Sequence, residues 1–458
     1  MTKAAPDFLS INRRFTRQVV SAIGDASAES AVIVEAPPGA GKSTLTCSVA
    51  NALVKADTAL TLPIVTQTNE QADDIVDAFH ARYPKVRIGR LTSGAGPSPA
   101  ITNLMAGSSS VVAGTQVRQG ALRDARVVVG TARKWQYERD RLERIGGHFD
   151  VGLIDEAYQM RSDLLLGISS LFDRLLCVGD PGQLDPFTEV DDGLWRGLPY
   201  SPVRPAVAVL RANFENLAPI QLPTSWRLPP SAADIVSRAF YPFSGFNAGT
   251  SESQRSISFT PRRGQSHSFD GGPALARAAA DGWAFVELPE KFTNRADAQI
   301  AETLAAITTQ ALQRGATVVD EREPSGHALT GARIAVVAAH NDQVHAIRYY
   351  LNALGTDPDS VVVSTANKIQ GREYDLTLVW HPLAGRRDAT AFHLEAGRMC
   401  VMLSRHRQAC VVVGRSGAER LLSEFPDSDP IFLDEPEKFP DGWQANYEVL
   451  EHLRSYRV

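Results

Sequence analysis

A short glycine-rich segment between a strand-like run and a helix-like run constrains this chain more than any other feature. Residues 36–44 read APPGAGKST; they follow the apolar run AVIVEA and lead into the helix-like run TLTCSVANALV. Glycines let backbone N–H groups approach phosphate oxygens, and the following helix N-terminus adds its positive dipole. The segment therefore predicts a P-loop, in which the nucleotide is bound by Pro38, Gly39, Ala40, Gly41, Lys42, Ser43 and Thr44.

Individual side chains of this loop have predictable roles. Lys42 is expected to reach the β- and γ-phosphates, and Ser43 to bind Mg²⁺. A second signal, the acidic pair Asp155-Glu156, ends the apolar strand VGLID. An acidic pair in this position, behind a P-loop, predicts that Asp155 holds Mg²⁺ and that Glu156 acts as the general base on the attacking water.

Short apolar strands alternate with helix-like segments along the chain. One series reads AVIVEA, LPIVT, RVVVGT, VGLID and LLCVGD, and a second reads WAFVEL, RIAVVAA, VVVSTA, LTLVW and CVVVG. Continuous apolar strands are typical of a parallel sheet buried on both faces, and alternation with helices indicates βαβ units. We predict an α/β fold of two domains, 1–215 and 216–458, with an insertion at about 82–125 and a polar insertion at about 244–280.

Composition excludes several classes of protein. Of the 458 residues, 43% are hydrophobic and 22% charged, which is typical of a globular protein and not of a disordered one. The net charge of −5 argues against a wholly basic nucleic-acid binder but permits a local basic groove. Since the four cysteines form no C-x-x-C pair, we expect neither a zinc site nor a disulfide framework.

The sequence also bears on location. No apolar run approaches the roughly 18 residues of a membrane span, so we expect no membrane partner. The N-terminus, MTKAAPDFLSINRRFTRQ, lacks the apolar centre of a secretory signal. Together with the unpaired cysteines, this favours a cytoplasmic location.

Further motifs follow in order along the chain and resemble those of superfamily 1 helicases. They are Gln18, the P-loop, the Asp-Glu pair, VGDPGQL (178–184), TSWRLP (224–229), QGRE (370–373) and LSRHR (403–407). The resemblance spans about residues 10–415 and is closest to the 5′→3′ subgroup that includes RNA-surveillance and RecD-type enzymes. It implies two tandem RecA-like P-loop NTPase domains, stacked face to face, with ATP and Mg²⁺ in the cleft between them.

The resemblance assigns roles to several residues outside the P-loop. Gln18, which lies 24 residues before Lys42, is placed like the glutamine that reads adenine. Gln183 is placed like the residue that senses the γ-phosphate and signals to the nucleic-acid groove. Two arginines of the second domain are placed like arginine fingers: Arg227 and Arg405.

The nucleotide is also expected to meet the QGRE motif. Gly371 allows close approach of a ligand, and Glu373 is expected near the ribose. The sequence departs from the family pattern at some positions, because Trp226 replaces a commoner tyrosine and Cys400 a commoner asparagine. In LSRHR, the usual threonine, alanine and lysine are replaced by Ser404, His406 and Arg407.

Nucleic-acid contacts are expected where two strands of the first domain end. The segment VTQTN (65–69) and the tripeptide GTA (130–132) resemble strand-contacting motifs, so the candidate contacts are Thr66, Thr68, Asn69 and Thr131. A helix that starts at Asn69 with an ordinary cap is the alternative explanation of the first segment, and both interpretations can hold together.

The motifs predict a magnesium-dependent ATPase. The resemblance implies that it moves 5′→3′ along single-stranded nucleic acid, with DNA favoured over RNA, and separates duplexes, and we expect it to act as a monomer. Two alternatives stay open. The first is an ATP-driven translocase or nucleoprotein remodeller that does not unwind duplexes, since it would share all of these motifs. The second is a small-molecule P-loop kinase, which predicts one α/β domain with a lid and not a second strand series with two spaced arginines.

Overall fold

The computed structural model describes residues 7–25, 30–186, 195, 202–214, 216–261, 269–293, 296–424 and 441–458. Within these residues, the first part of the chain forms an eight-stranded parallel sheet of order β4-β3-β5-β2-β6-β7-β1-β8. Its strands are β1 (Ala31–Glu35), β2 (Leu62–Thr66), β3 (Ile88–Leu91), β4 (Val111–Gly114), β5 (Val127–Thr131), β6 (Phe149–Asp155), β7 (Phe172–Gly179) and β8 (Ile220–Gln221).

Helices cover both faces of this sheet. They are α1 (Phe8–Gly24), α2 (Lys42–Ala56), α3 (Asn69–Arg82), α4 (Pro99–Gly107), α5 (Ala132–Arg144), α6 (Ser162–Leu166) and α7 (Ala206–Asn213). Successive side chains of a strand point to opposite faces. Accordingly, Val34 and Ile64 belong to one buried core while Ile33 and Val65 belong to the other. Burial on both faces explains why these strands are apolar without alternation.

The segment 82–125 differs from the expected separate insertion. It contributes β3, α4 and β4, and these two strands extend the first sheet at its β5 edge, with Ile88 paired to Val127 and to Val111. Ile101 and Val111 are buried in the same core as β1 and β2. A segment whose apolar side chains complete the main core belongs to the sheet and is not an independent wedge domain.

A second parallel sheet, five-stranded within the described residues, has the order β12-β18-β17-β15-β16. A smaller pair and a three-stranded sheet of order β11-β13-β14 accompany it. The strands are β9 (Thr224–Ser225), β10 (Asn247–Ala248), β11 (Ser256–Phe259), β12 (Trp283–Leu288), β13 (Ala316–Val319), β14 (His327–Ala328), β15 (Ile334–Ala338), β16 (Val362–Thr365), β17 (Tyr374–Trp380) and β18 (His406–Arg415).

Helices also flank the second sheet, which has a buried core on each face. They are α8 (Pro230–Phe240), α9 (Gly272–Asp281), α10 (Ala298–Arg314), α11 (Asn341–Ala353), α12 (Ala366–Ile369), α13 (Ala391–Leu394), α14 (Ala396–Leu403), α15 (Ala418–Glu424) and α16 (Gly442–Arg454). The fold class predicted from sequence, two tandem RecA-like α/β domains, is confirmed.

Two predicted boundaries can be compared with these elements. β8 still pairs with β1, so the chain leaves the first sheet after residue 221 and not at residue 215; the domain limits stay a prediction. Of the predicted polar insertion at 244–280, residues 262–268 lie outside the described part. The remainder supplies β10, β11 and α9, and therefore contains regular structure.

Two further expectations concern cysteines and membranes. All four cysteines are buried free thiols. Burial raises the pKa of each thiol to about 12, so none is reactive at neutral pH. In the part of the chain described here, no helix combines the length and apolarity needed to cross a membrane.

The C-terminal helix α16 tests how the second domain is stabilised. Leu453 of α16 is fully buried in the core that α8 and α14 share. We expect Leu453→Ala to lower the free energy of unfolding by about 2–5 kcal/mol, because it leaves a cavity. Chemical denaturation measures the change. Leu166→Ala is the control, because Leu166 is 68% exposed and the same truncation there should cost no more than about 0.5 kcal/mol. Equal costs at both positions would contradict the packing of α16.

Candidate nucleotide-binding cleft

The predicted P-loop joins β1 to α2. Gly39 and Gly41 adopt left-handed backbone conformations, with φ of +73° and +90°. Glycine takes such angles without the steric cost that a side chain would incur. The turn at Gly41 places the first residue of α2 at Lys42, so the unpaired N–H groups of the helix N-terminus face the loop.

A cavity of about 820 Å³ opens in front of this loop and is lined by both domains. Most residues predicted to bind or hydrolyse nucleotide meet there. They are Gly39, Ala40, Gly41, Lys42, Ser43, Thr44, Glu156, Gln183, Arg227, Gly371, Glu373 and Arg405. Pro38, Asp155 and Gln18 do not line the cavity.

Lys42 is held by acidic side chains in this structure. Its Nζ lies 3.3 Å from Oδ2 of Asp180 and 3.9 Å from Oε1 of Glu156. Asp180 follows β7, and Asp155-Glu156 end the neighbouring strand β6; β7 in turn pairs with β1. Because these strands are parallel, their carboxyl ends bring the lysine and the carboxylates together.

Glu156 has an unusual backbone. Its φ of +51° and ψ of +47° are left-handed, although it is not a glycine. For a residue with a Cβ, this conformation costs roughly 1–2 kcal/mol. The turn that follows, Ala157–Gln159, leaves the Glu156 side chain on the cavity wall while Asp155 stays behind it. The two members of the acidic pair therefore have different surroundings.

Asp155 is fully buried and accepts a hydrogen bond of 3.2 Å from the Thr46 hydroxyl. Burial, reinforced by the nearby charge of Glu156, raises the pKa of Asp155 to about 7, while Lys42 acts in the opposite direction. A divalent cation would favour the ionised carboxylate. The described residues contain no cluster of three or more His, Cys, Asp or Glu side chains that could hold a metal. Ser43 and Asp155 offer hydroxyl and carboxylate oxygens, the donor set that suits Mg²⁺ alongside phosphate and water.

Gln183 connects the two domains. Its amide nitrogen donates to Asp180, and its amide oxygen accepts a hydrogen bond of 2.8 Å from Gln370. The backbones also approach closely here, since a Cβ on Gly397 would lie 2.5 Å from the Gln183 carbonyl oxygen. Gln183 therefore contacts the lysine's carboxylate partner on one side and the QGRE motif on the other.

Arg227 comes from the second domain, lies against the P-loop of the first and is bonded to other segments of its own domain. The backbone N–H of Trp226 donates to Gly39 O at 2.9 Å, and the Ser225 hydroxyl to Pro38 O at 2.7 Å. The Arg227 guanidinium donates to the carbonyls of Ser404 and Gly371, each at 3.2 Å, and lies 3.4 Å from a Glu373 carboxylate oxygen.

Arg405 is fully buried at the cavity wall. Its Nε donates to Val401 O at 3.0 Å and its Nη2 to the Ser404 hydroxyl at 2.7 Å. Among the described residues, Nη1 has no hydrogen-bond partner and the guanidinium forms no ion pair. Burial, with the positive charge of Arg227 as the next cause, lowers the pKa of Arg405 to about 9. The group remains a cation at neutral pH, and among the described residues the charge of Asp180 acts on it only from beyond ion-pair distance.

Glu373 is surrounded by arginines. Its carboxylate lies 2.6 Å from Arg322 and 3.4 Å from each of Arg227 and Arg407. Burial alone would raise the pKa of Glu373, but the arginines, led by Arg227, lower it to about 2. The predicted ribose contact is therefore an ionised carboxylate that already fixes Arg227.

The structure does not support the predicted role of Gln18. Gln18 is exposed in the middle of α1, whereas the cavity is lined by Asp7 and Phe8 at the start of that helix. Ten helical residues separate Phe8 from Gln18, a rise of about 15 Å. In place of the amide, the cavity offers two rings, since Phe8 packs edge-on against Trp226 with centroids 5.2 Å apart.

The four predicted strand-contacting residues lie together at the carboxyl ends of β2 and β5. Thr66 is paired in register with Thr131. Thr68 caps α3 in a capping box with Gln71, and Thr131 caps α5. The cap interpretation of the first segment is therefore correct, and Thr131 is a cap that the sequence analysis did not predict; both residues still lie at the strand edge.

Sequence reasoning missed several residues that line the cavity: Asp7, Phe8, Arg82, Gln254, Glu321 and Arg322. None belongs to a motif. Arg82, at the end of α3, donates to the Thr44 hydroxyl at 2.9 Å, so it reaches the P-loop from another helix. A lone arginine at a helix end carries no sequence signal of such a contact.

The fold and the cleft define a P-loop protein of two tandem RecA-like domains. Residues 208–417, somewhat less than half of the chain, match a family model described as an AAA domain. Comparison with curated proteins finds no match.

Among solved structures, the chain is similar to nonstructural protein 10 of an arterivirus, a helicase. In its complex with DNA the identity is 14% and the TM-score 0.41, covering 85% of this chain and 63% of that one. A second crystal structure of the arterivirus protein gives 14% identity and a TM-score of 0.44, covering 85% and 61%. This chain thus spans less than two thirds of the length of the arterivirus helicase.

The contact between the P-loop and Arg227 can be tested at Gly39. A Cβ there would lie 2.2 Å from Cβ of Arg227, and the left-handed φ adds strain. We expect Gly39→Ala to weaken nucleotide binding by at least about tenfold, because the loop or the arginine must move. Titration with a fluorescent nucleotide measures this.

Gly96→Ala is the matched control. Gly96 is also left-handed, with φ of +86°, but a Cβ there meets nothing within 4 Å. Its nucleotide affinity should stay at the wild-type value. A Gly39→Ala protein with the same affinity would show that the close approach to Arg227 is not needed.

Proposed function

We propose that this protein is an ATP-driven motor of the superfamily 1 helicase type, which translocates 5′→3′ along single-stranded nucleic acid, DNA in preference to RNA, and separates duplexes. The observation that carries the proposal is Arg405. A buried guanidinium with an unused N–H, on the second domain and facing a P-loop on the first, calls for an anionic partner. The γ-phosphate of a nucleotide bound at the P-loop would supply it.

The proposed hydrolysis assigns one task to each cleft residue. Lys42 would exchange its carboxylate partners for the β- and γ-phosphates. Glu156, on the cavity wall, would accept a proton from the attacking water. Arg227 and Arg405 would stabilise the charge that develops on the transferred phosphoryl group.

Ser43 and Asp155 would hold Mg²⁺ beside the phosphates. The ion, when bound, would neutralise phosphate charge. Asp155 lies behind the wall with Thr46 as its partner, so the structure favours an indirect contact through a water molecule.

For the base, the structure favours aromatic contacts over an amide contact. Phe8 and Trp226 line the same cavity as the P-loop and belong to different segments of the chain. Aromatic rings bind the face of a purine without distinguishing its edge. We therefore propose that adenine lies against this pair and that Gln18 takes no part.

A contact also joins the proposed strand edge to the cleft. The Gln71 side chain, which completes the cap at Thr68, donates to the Gln159 side chain at 3.2 Å. Gln159 ends the turn that begins at Glu156. A strand that displaces Thr68 or Gln71 would therefore shift the turn that carries the general base, which gives a physical route for strand-stimulated hydrolysis.

The second domain offers a candidate base contact at the carboxyl end of its sheet. Phe392, 40% exposed, stacks on the His340 ring with centroids 4.8 Å apart and planes 21° apart. The Arg398 guanidinium carbon lies 3.8 Å from the centre of the Phe392 ring. His340 follows β15, so this stack stands at the edge where α/β sheets bind ligands.

Translocation without duplex separation remains the second candidate. The observation that favours it is the structure of residues 82–125, which form part of the first sheet and provide no separate domain to act as a wedge. The small-molecule kinase alternative loses support, because the second domain contributes Arg227, Glu373 and Arg405 to the cleft.

The decisive experiment compares nucleotide turnover with single-stranded DNA, with single-stranded RNA and with neither. Stimulation by a single strand supports the proposal, and the larger stimulation identifies the substrate. Lys42→Ala is the inactive control. Turnover that neither strand changes would contradict a translocase.

Strand displacement on substrates with a 5′ or a 3′ overhang then tests unwinding and direction.

Arg405 gives the sharpest mutational test. Arg405→Ala should bind nucleotide within about tenfold of wild type, yet lose about 10³-fold or more of strand-stimulated turnover, because the contact forms mainly in the transition state. Arg348→Ala is the control and should turn over normally, because Arg348 is a partly exposed residue of α11 that pairs with Asp359. Normal turnover by Arg405→Ala would remove the central support of the proposal.

The aromatic stack makes a separate prediction. Phe392→Ala should weaken binding of single-stranded nucleic acid by about 1 kcal/mol, the low end of the usual worth of a base–aromatic contact, because His340 and Arg398 already lie against the ring; nucleotide affinity should be unchanged. Fluorescence anisotropy with a labelled oligonucleotide measures it. Tyr349→Ala is the control, since Tyr349 is an aromatic residue of α11 that is more exposed than Phe392, at 69%. If both variants bind alike, the strand does not reach Phe392.

A further inference from the structure

Arg255 lies outside every motif, in a stretch that reads as polar surface, yet it is buried. Its side chain is 2% exposed and forms a two-point ion pair with Glu321, with N···O distances of 2.9 Å from Nε and 2.8 Å from Nη2. Burial lowers the pKa of Arg255, while Glu321 acts against that effect. A buried cation is costly unless it is paired, so Arg255 depends on Glu321 to stay charged in this position.

The remaining N–H groups of Arg255 are also used. Nη2 donates to Trp226 O at 2.6 Å, and Nη1 donates to the carbonyl oxygens of Arg227 and of Arg407, the latter at 3.2 Å. A guanidinium has five N–H groups in a fixed planar fork. All five therefore have acceptors, two on one carboxylate and three on backbone carbonyls.

Those carbonyls belong to the two segments that carry the proposed arginine fingers. Trp226 and Arg227 form the first segment, and Arg407 lies two residues after Arg405 in the second. We infer that Arg255 is a positioning residue that fixes the two arginine fingers relative to each other and to the P-loop. This inference rests on the proposed function, because it takes Arg227 and Arg405 as arginine fingers. It assigns no contact with the nucleotide to Arg255.

The three-stranded sheet explains how Arg255 reaches this position. β11 pairs antiparallel with β13, with Ser256 opposite Val319. The next residues in that register are Arg255 and Asp320, so Glu321 follows within reach of the guanidinium. Asp320 and Glu321 each lie 2.8 Å from Arg407 as well. The three-stranded sheet therefore brings two residues to the cleft: Arg255, called the clamp below, and Glu321, the carboxylate that pairs with it.

The test uses Arg255→Lys, which keeps the charge. An ammonium group is a point charge with three N–H donors and cannot reproduce the planar fork. Small displacements of catalytic groups are costly, so we expect strand-stimulated turnover to fall by about 10- to 100-fold. Nucleotide affinity should stay within about threefold of wild type, because a loss confined to the transition state leaves ground-state binding intact.

Arg415→Lys is the matched control. Arg415 is equally buried in the same domain and forms a two-point ion pair with Asp297, plus a bond of 2.6 Å to Pro289 O. It ends β18, whereas Arg405 and Arg407 stand at the start of that strand, about 30 Å away. Arg415→Lys should lower the melting temperature but not the turnover at a temperature where the protein is folded.

A double variant with Arg405→Ala distinguishes a positioning role of Arg255 from a general loss of structure. If Arg255 acts through the arginine fingers, Arg255→Lys/Arg405→Ala should turn over within about twofold of Arg405→Ala alone. Losses that multiply, or near wild-type turnover by Arg255→Lys, would overturn the inference.

Should Arg255→Lys fail to fold, Glu321→Gln weakens the same clamp. Reduced turnover at unchanged nucleotide affinity then supports the inference, and unchanged turnover overturns it.

The single variants also distinguish this inference from the proposed function. Normal turnover by both Arg227→Ala and Arg405→Ala would refute the arginine fingers themselves, whatever Arg255→Lys does. Impaired turnover in those two variants together with normal turnover in Arg255→Lys would leave the fingers in place and refute only the clamp.

Discussion

Two hydrogen bonds hold the P-loop against the segment that carries Arg227, and the rest of the cleft depends on them. Ser225 donates to Pro38 O, and the backbone of Trp226 donates to Gly39 O. Because Gly39 has no side chain, the backbones come close enough for both bonds. Arg227, which belongs to the second domain, also bonds to the backbone of Ser404 within that domain. A movement of the P-loop is therefore passed directly to the second domain.

Several charges of the cleft are balanced by opposite charges within the protein. Asp180 and Glu156 face Lys42, and Glu373 faces Arg227. Nucleotide phosphates would replace these carboxylates, so binding there is an exchange of anions. Arg405 has no carboxylate to exchange among the described residues. Its unmet N–H gives the closed, phosphate-bound cleft an advantage that the protein alone does not supply.

Local patterns were sufficient to predict the P-loop and the acidic pair, because each depends on one strand and the turn after it. Gln18 was placed by its spacing from Lys42, and spacing along the chain does not fix which part of a helix reaches a cavity. No sequence motif marks Arg255, because the pairing of β11 with β13 brings its partner Glu321 from a distant part of the chain. The segment 82–125 is hard to interpret for a related reason: its small and polar residues conceal β3 and the edge strand β4, whose few apolar side chains complete the core.

One helix joins the proposed strand site of the second domain to Arg405, its proposed arginine finger. α14 begins beside the Phe392 stack, where Arg398 covers the ring, and ends just before Arg405. Its eight residues span about 12 Å, and a buried helix of that length moves as a rigid body. Midway along it, Cys400 contacts the Tyr241 hydroxyl, which donates to Asp180, the partner of Lys42. A base that shifts the Phe392 stack would therefore move Arg405 relative to the P-loop, which is the coupling that a strand-driven ATPase requires.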